Sequence, residues 1–127
     1  MDRGKIVPYR LHHVQIAAPP GCESAARTFY VGVLGMEELP KPVTLAARGG
    51  LWLRLSGAEL HLGVEPEFRP AKKAHPAFEV DDLDALRRRL REPGVPIRDD
   101  QLLPGRKRFY ADDPFGNRLE FVDREGT

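Results

Sequence analysis

Several features that would place a protein quickly are scarce in this chain. Cys22 is the only cysteine, which excludes an intramolecular disulfide and suggests a reducing, cytoplasmic setting. Neither sign of charge dominates: 20 Lys and Arg stand against 19 Asp and Glu, a formal charge of +1. That balance gives no reason to expect nucleic acid or a membrane surface as partner. No apolar run is long enough to span a bilayer, and Met1 to Arg10 lacks the apolar core of a signal peptide. P-loop, dinucleotide-fingerprint and zinc-knuckle spacings are missing too.

What is present is 127 residues, 41% apolar and 31% charged, a composition that suits one globular domain over 1–127. Twelve prolines and twelve glycines imply many turns and short strands. Leu11 to Ala17 alternates as a strand, with His12, Val14 and Ile16 on one face and His13, Gln15 and Ala17 on the other. A helix is expected from Cys22 or Glu23 to Leu34, with Ala26, Phe29, Tyr30 and Val33 as its apolar stripe and Gly35 as its stop. Val43 to Ala47 is read as a strand. Leu51 to Leu55 and Glu59 to Val64 then alternate cleanly, their leucines on one face and Trp52, Arg54, Glu59 and His61 on the other.

A proline-bearing linker over about 66–74 separates this from a second series. His75 to Val80 is a strand with His75, Ala77 and Glu79 on one face. Asp81 or Asp82 caps a helix to about Glu92, with Leu83, Leu86 and Leu90 buried. A short strand near Pro96 to Arg98 and a loop to Gly105 follow. Arg106 to Ala111 then pairs as a hairpin with Arg118 to Val122, across the turn Asp113-Pro114-Phe115-Gly116-Asn117.

Both halves, about 11–65 and 75–123, read strand, helix, three strands. Superposing their apolar faces registers His13 with His75, an offset of 62, and His61 with Glu120, an offset of 59. The fold class is therefore α+β, built from two βαβββ modules. Four donor side chains occupy two equivalent positions on the faces turned away from the helices. A carboxylate in mid-strand, as at Glu120, is costly to bury unless it is paired or coordinated.

The runs Leu11-His12-His13-Val14, Phe29 to Met36, His75 to Leu83 and Asp113 to Glu120 resemble the vicinal oxygen chelate superfamily, which includes glyoxalase I and the fosfomycin- and bleomycin-resistance proteins. The resemblance covers about residues 11–123. It implies curved mixed sheets forming a cup that is closed by dimerisation, with a divalent metal (Zn, Ni, Co, Fe or Mn) inside. It places metal ligands at His13, His75 and Glu120. The fourth position, commonly a glutamate in glyoxalase I, is His61 here, which leaves three imidazoles and one carboxylate.

His61 stands open between metal ligand and polar lining, and Glu120 between metal ligand and ion pair with Arg118 or Arg54. His12, on the helix-facing side by parity, is read as structural. Gln15, Trp52, Arg54, Arg108 and Tyr110 point by parity into the cup as candidate substrate contacts, edge exposure being the alternative for Arg108. Glu120 and Tyr110 are the candidate catalytic groups. The arginines of the cup suggest a small anionic ligand, with Glu59 and Glu79 as alternative partners for them. The expected activity is metal-assisted Lewis-acid chemistry on a small metabolite or toxicant. The alternatives are a metal-free, drug-sequestering binding protein and an extradiol-type dioxygenase.

Overall fold

The computed structural model describes residues 4–100 and 104–124. Residues 101–103, within the loop expected to reach Gly105, lie outside the described residues. Alternation of leucine with polar residues sets the first sheet. Strand β1 (His13–Ala18) runs parallel to β4 (Ala58–Val64); β4 pairs antiparallel with β3 (Leu51–Leu55), and β3 with β2 (Glu37–Leu39). The second sheet repeats the pattern with β5 (Ala77–Val80), β8 (Arg118–Asp123), β7 (Arg108–Asp112) and β6 (Arg98–Asp99). The orders β1-β4-β3-β2 and β5-β8-β7-β6 are the same path taken twice. The repeat holds at the level of single rungs, since Gln15 lies opposite His61 and Ala77 opposite Glu120.

Helix α1 is regular over Glu23–Ala26 and continues over Arg27–Val33 with π-helical bonding, ending before Gly35 at φ +78. Helix α3 (Leu83–Arg91) is capped by Asp82, whose side chain accepts from the Ala85 N–H at 3.0 Å. The leucine faces of both sheets and the stripes of α1 and α3 share one core, in which Tyr30, Leu53, Leu60, Leu90, Phe109 and Leu119 are completely buried. Truncating one of those leucines to Ala removes about 2–5 kcal/mol.

The strand expected over Val43 to Ala47 is instead helix α2 (Val43–Ala46). Pro42 precedes it in an extended conformation and cannot donate to a ladder, while Leu45 and Ala46 are good helix formers. Val43 is 92% exposed, so its alternation with Leu45 never marked a buried face. The module keeps its three strands because β2 lies earlier, at Glu37–Leu39, where the acidic sequence hid it. Strand ends also shift inward: Leu11, His12, His75, Pro76 and Arg106 precede the strands expected to contain them.

The turn at Asp113 ties the modules together. Asp113 Oδ2 accepts from the Tyr30 hydroxyl at 2.7 Å and from Asn117 Nδ2 at 3.0 Å, and its Oδ1 accepts the N–H groups of Phe115 and Asn117. Asn117 Nδ2 also donates to the Ala17 carbonyl of β1, and its Oδ1 accepts from the Ala71 N–H of the linker. Helix α1, strand β1, the linker and the β7–β8 turn are thus held by two buried side chains.

Candidate functional site on the polar sheet faces

On the first sheet, the leucines face the core, so His13 and Gln15 of β1, Glu59, His61 and Gly63 of β4, and Trp52 and Arg54 of β3 share the opposite face. His61 is only 5% exposed because aromatic rings cover both its sides. Trp52 stacks on it at 4.2 Å between centroids and His13 at 4.4 Å, both nearly parallel. His61 Nε2 lies 2.9 Å from Glu59 Oε1, and this bond is the main reason that the Glu59 carboxyl sits below its ordinary pKa.

His12 does not face the helices as strand parity implied. Strand β1 begins at His13, and His12 is exposed, its Nδ1 2.9 Å from His13 Nδ1. Arg54 is also exposed, and its guanidinium is 3.3 Å from Glu37, directly across the β2–β3 ladder. Neither Glu59 nor Glu79 is its partner.

On the second sheet, the equivalent face carries Glu120 of β8 with Arg108 and Tyr110 of β7, and His75 stands just ahead of β5. His75 Nδ1 lies 2.8 Å from the Lys73 carbonyl, an acceptor, so Nδ1 carries the ring hydrogen. Nε2 then turns a lone pair toward Glu120 Oε1, 2.9 Å away. The imidazole nitrogen and the carboxylate oxygen thus face each other directly. Glu120 Oε2 accepts from Arg108 Nη1 at 3.2 Å, while Arg108 Nη2 reaches Asp100 at 3.0 Å. The alternative of edge exposure for Arg108 falls, since its side chain is 17% exposed. Tyr110, opposite Glu120 on the ladder, packs edge-on against His75 at 5.4 Å and lies under both Arg108 and Arg118.

The donors therefore gather as two pairs, His13 with His61 and His75 with Glu120. Among the described residues no three His, Cys, Asp or Glu side chains converge as a metal site. The donor chemistry suits a divalent metal, and the Lys73 carbonyl presents the His75 ring in the tautomer a ligand needs. A complete set requires the two pairs to meet. Sequence reasoning missed Glu37 and Asp100 as partners of the arginines, because which strand lies opposite which is not a local property. It also passed over Lys41 and Arg48, which line a cavity beside Gln15 and Trp52. Their only sequence signal was a basic residue on each side of a short apolar stretch.

Residues 10–121 match the family model of the Glyoxalase/Bleomycin resistance protein/Dioxygenase superfamily. A glyoxalase family protein from Bacillus anthracis is 47% identical, with a TM-score of 0.91 over 95% of this chain and 99% of that one. The oxidase ChaP-H2 is 26% identical with a TM-score of 0.71, over 95% of this chain and 98% of its own. TnmS3, an antibiotic binding protein from Streptomyces sp. CB03234, is 22% identical with a TM-score of 0.72, over 95% of this chain and 100% of its own. No curated protein matches. No helix among the described residues is long and apolar enough to cross a membrane.

Proposed function

The chain belongs to the Glyoxalase/Bleomycin resistance protein/Dioxygenase superfamily, and on that premise we propose that it is a homodimeric, metal-dependent enzyme of small-molecule metabolism in the cytoplasm. The metal is held by His13 and His61 of one copy and His75 and Glu120 of the other. The observation that carries this reading is the division of donors into two pairs at repeat-equivalent positions, neither of which belongs to a group of three or more able to hold a metal among the described residues. Each pair is half of a four-donor set, and two-fold pairing of copies is the commonest way to join such halves.

When bound, the divalent ion supplies Lewis acidity toward adjacent oxygens of a substrate. The chain's own residues supply the rest. Arg108 holds Glu120 from the side away from His75, so the carboxylate keeps one orientation. Tyr110, on the neighbouring strand, presents its phenol beside that carboxylate as a hydrogen-bond donor to a bound oxygen. Trp52 and Gln15 line the first sheet's face as contacts for the body of the ligand.

The test is elemental analysis of protein purified without a His-tag, alongside its mass in solution. The expected result is a dimer with one divalent ion per chain. A second reading, ligand sequestration without metal, is favoured by His61, whose ring is stacked on both sides and whose Nε2 already meets Glu59. A dimer that binds small molecules and takes up no metal from Zn, Mn, Fe, Co or Ni would establish that second reading.

A further inference from the structure

A cavity of about 230 Å³ adjoins the first sheet's polar face, lined there by Gln15, Trp52 and Gly63 and also by Lys41, Leu45 and Arg48. Two glycines shape it. Gly50 holds φ +87, and a Cβ there would fall 2.0 Å from the Leu62 carbonyl oxygen, so the chain leaving α2 can press against β4 only with glycine. At Gly63 a Cβ would fall 2.4 Å from Gln15 Nε2, so the missing side chain lets the Gln15 amide lie across the strand.

The charges are distinctive. On the polar faces Arg54 is neutralised by Glu37, Arg106 by Glu79, and Arg108 by Asp100 and Glu120, while Arg118 lies over the Tyr110 ring. Lys41 and Arg48 have no carboxylate partner among the described residues, and no acidic side chain lines the cavity. The Lys41 ammonium donates to the Gly49 carbonyl, which leaves it further donors. Two cations and an amide thus meet an indole and a leucine around one small space. An anion gains charge-assisted hydrogen bonds there, and a flat apolar body gains contact with Trp52 and Leu45.

We propose that this cavity is a binding subsite for a planar aryl acid. Its carboxylate or phosphate faces Lys41, Arg48 and the Gln15 amide, and its ring lies against Trp52 and Leu45. The proposal rests on the reading of the polar faces as a small-molecule cup but does not depend on the metal.

Trp52 is the only tryptophan, so its fluorescence reports on the cavity directly. Benzoate, phenyl phosphate and the neutral benzamide are titrated into the full chain, with and without chelator. The expected result is saturable quenching by the two anions in either condition and none by benzamide over the same range. Arg48→Gln changes an exposed side chain and is expected to leave the fold intact; it is expected to weaken benzoate about tenfold or more, the loss of one charge-assisted hydrogen bond. Lys41→Met is expected to do the same, with circular dichroism confirming its fold. Equal quenching by benzamide, or undiminished benzoate binding in Arg48→Gln, overturns the proposal. Metal content measured on the same samples separates the two readings. Metal-loaded protein with no anion response sinks the subsite alone, and an anion response in protein that never takes up metal sinks the metal centre alone.

Discussion

Glu120 divides its two carboxylate oxygens between His75 and Arg108, so its removal leaves one imidazole and one guanidinium facing a void. Glu120→Ala and His75→Ala are each expected to abolish metal uptake, read by metal titration. His12→Ala removes only the neighbour of His13 Nδ1 and is expected to weaken the metal about tenfold without losing it, as for an outer partner of a ligand. Equal loss in all three would place His12 among the ligands. Tyr30 makes a different prediction at the same scale. Burial first, and then the Asp113 charge, push its phenol well above the ordinary 10.0. The folded chain keeps that proton where the unfolded chain releases it, so stability present below pH 10 falls as pH rises beyond it. Tyr30→Phe is expected to flatten that alkaline loss in denaturant titrations. It also costs about 1–3 kcal/mol at neutral pH, because buried Asp113 loses a donor.

Helix α1 and the residue just ahead of strand β3 meet through a contact that neither element shows alone. Glu23, in the first turn of α1, accepts the Gly50 N–H at 2.6 Å, and that bond is the main cause of its lowered pKa. A carboxylate with a depressed folded pKa contributes stability that is present above its unfolded value, near 4.5, and is lost as pH falls through the folded one. Glu23→Gln is expected to remove the part of the acid transition below pH 4.5 that this group causes, read by the midpoint of acid unfolding. Gly50→Ala strikes the same junction harder. Its positive φ and the approach of the Leu62 carbonyl predict a loss of more than about 3 kcal/mol in thermal or denaturant unfolding. The α2 correction belongs here too: a few residues after Pro42 satisfy helix and strand patterns alike, and only the pairing of β2 with β3 decides between them.

For the whole molecule, the exposed segment ahead of β1 bears on assembly. Ile6 is 91% exposed, Tyr9 88% and Leu11 63%, a run of large apolar side chains left largely open to solvent among the described residues. Such a segment is a candidate surface for a second copy to cover. The expected sedimentation mass at micromolar concentration is twice 14.3 kDa. A monomer mass there would remove the shared metal centre, because the described residues of one chain do not assemble it. Ile6→Ser with Tyr9→Ser is expected to weaken the dimer about tenfold or more by concentration-dependent sedimentation, the loss of two apolar anchors.

Period-two alternation by itself determined which faces of β1, β3, β4, β7 and β8 are apolar and which carry His13, His61, Trp52, Tyr110 and Glu120, because side-chain direction along a strand is a local consequence of the pleat. The repeat followed from the same pattern read twice, and the rung that sets Gln15 against His61 recurs as Ala77 against Glu120. Pairing was decided only by the tertiary structure. Arg54 met Glu37, Arg108 met Asp100 as well as Glu120, and His12 slid off the end of its strand. The Asp113–Asn117 turn, legible as a turn, became the knot between two modules once Tyr30 and Ala17 were brought beside it. Each of these depends on which distant segment lies opposite, a property of long-range packing that no local period encodes.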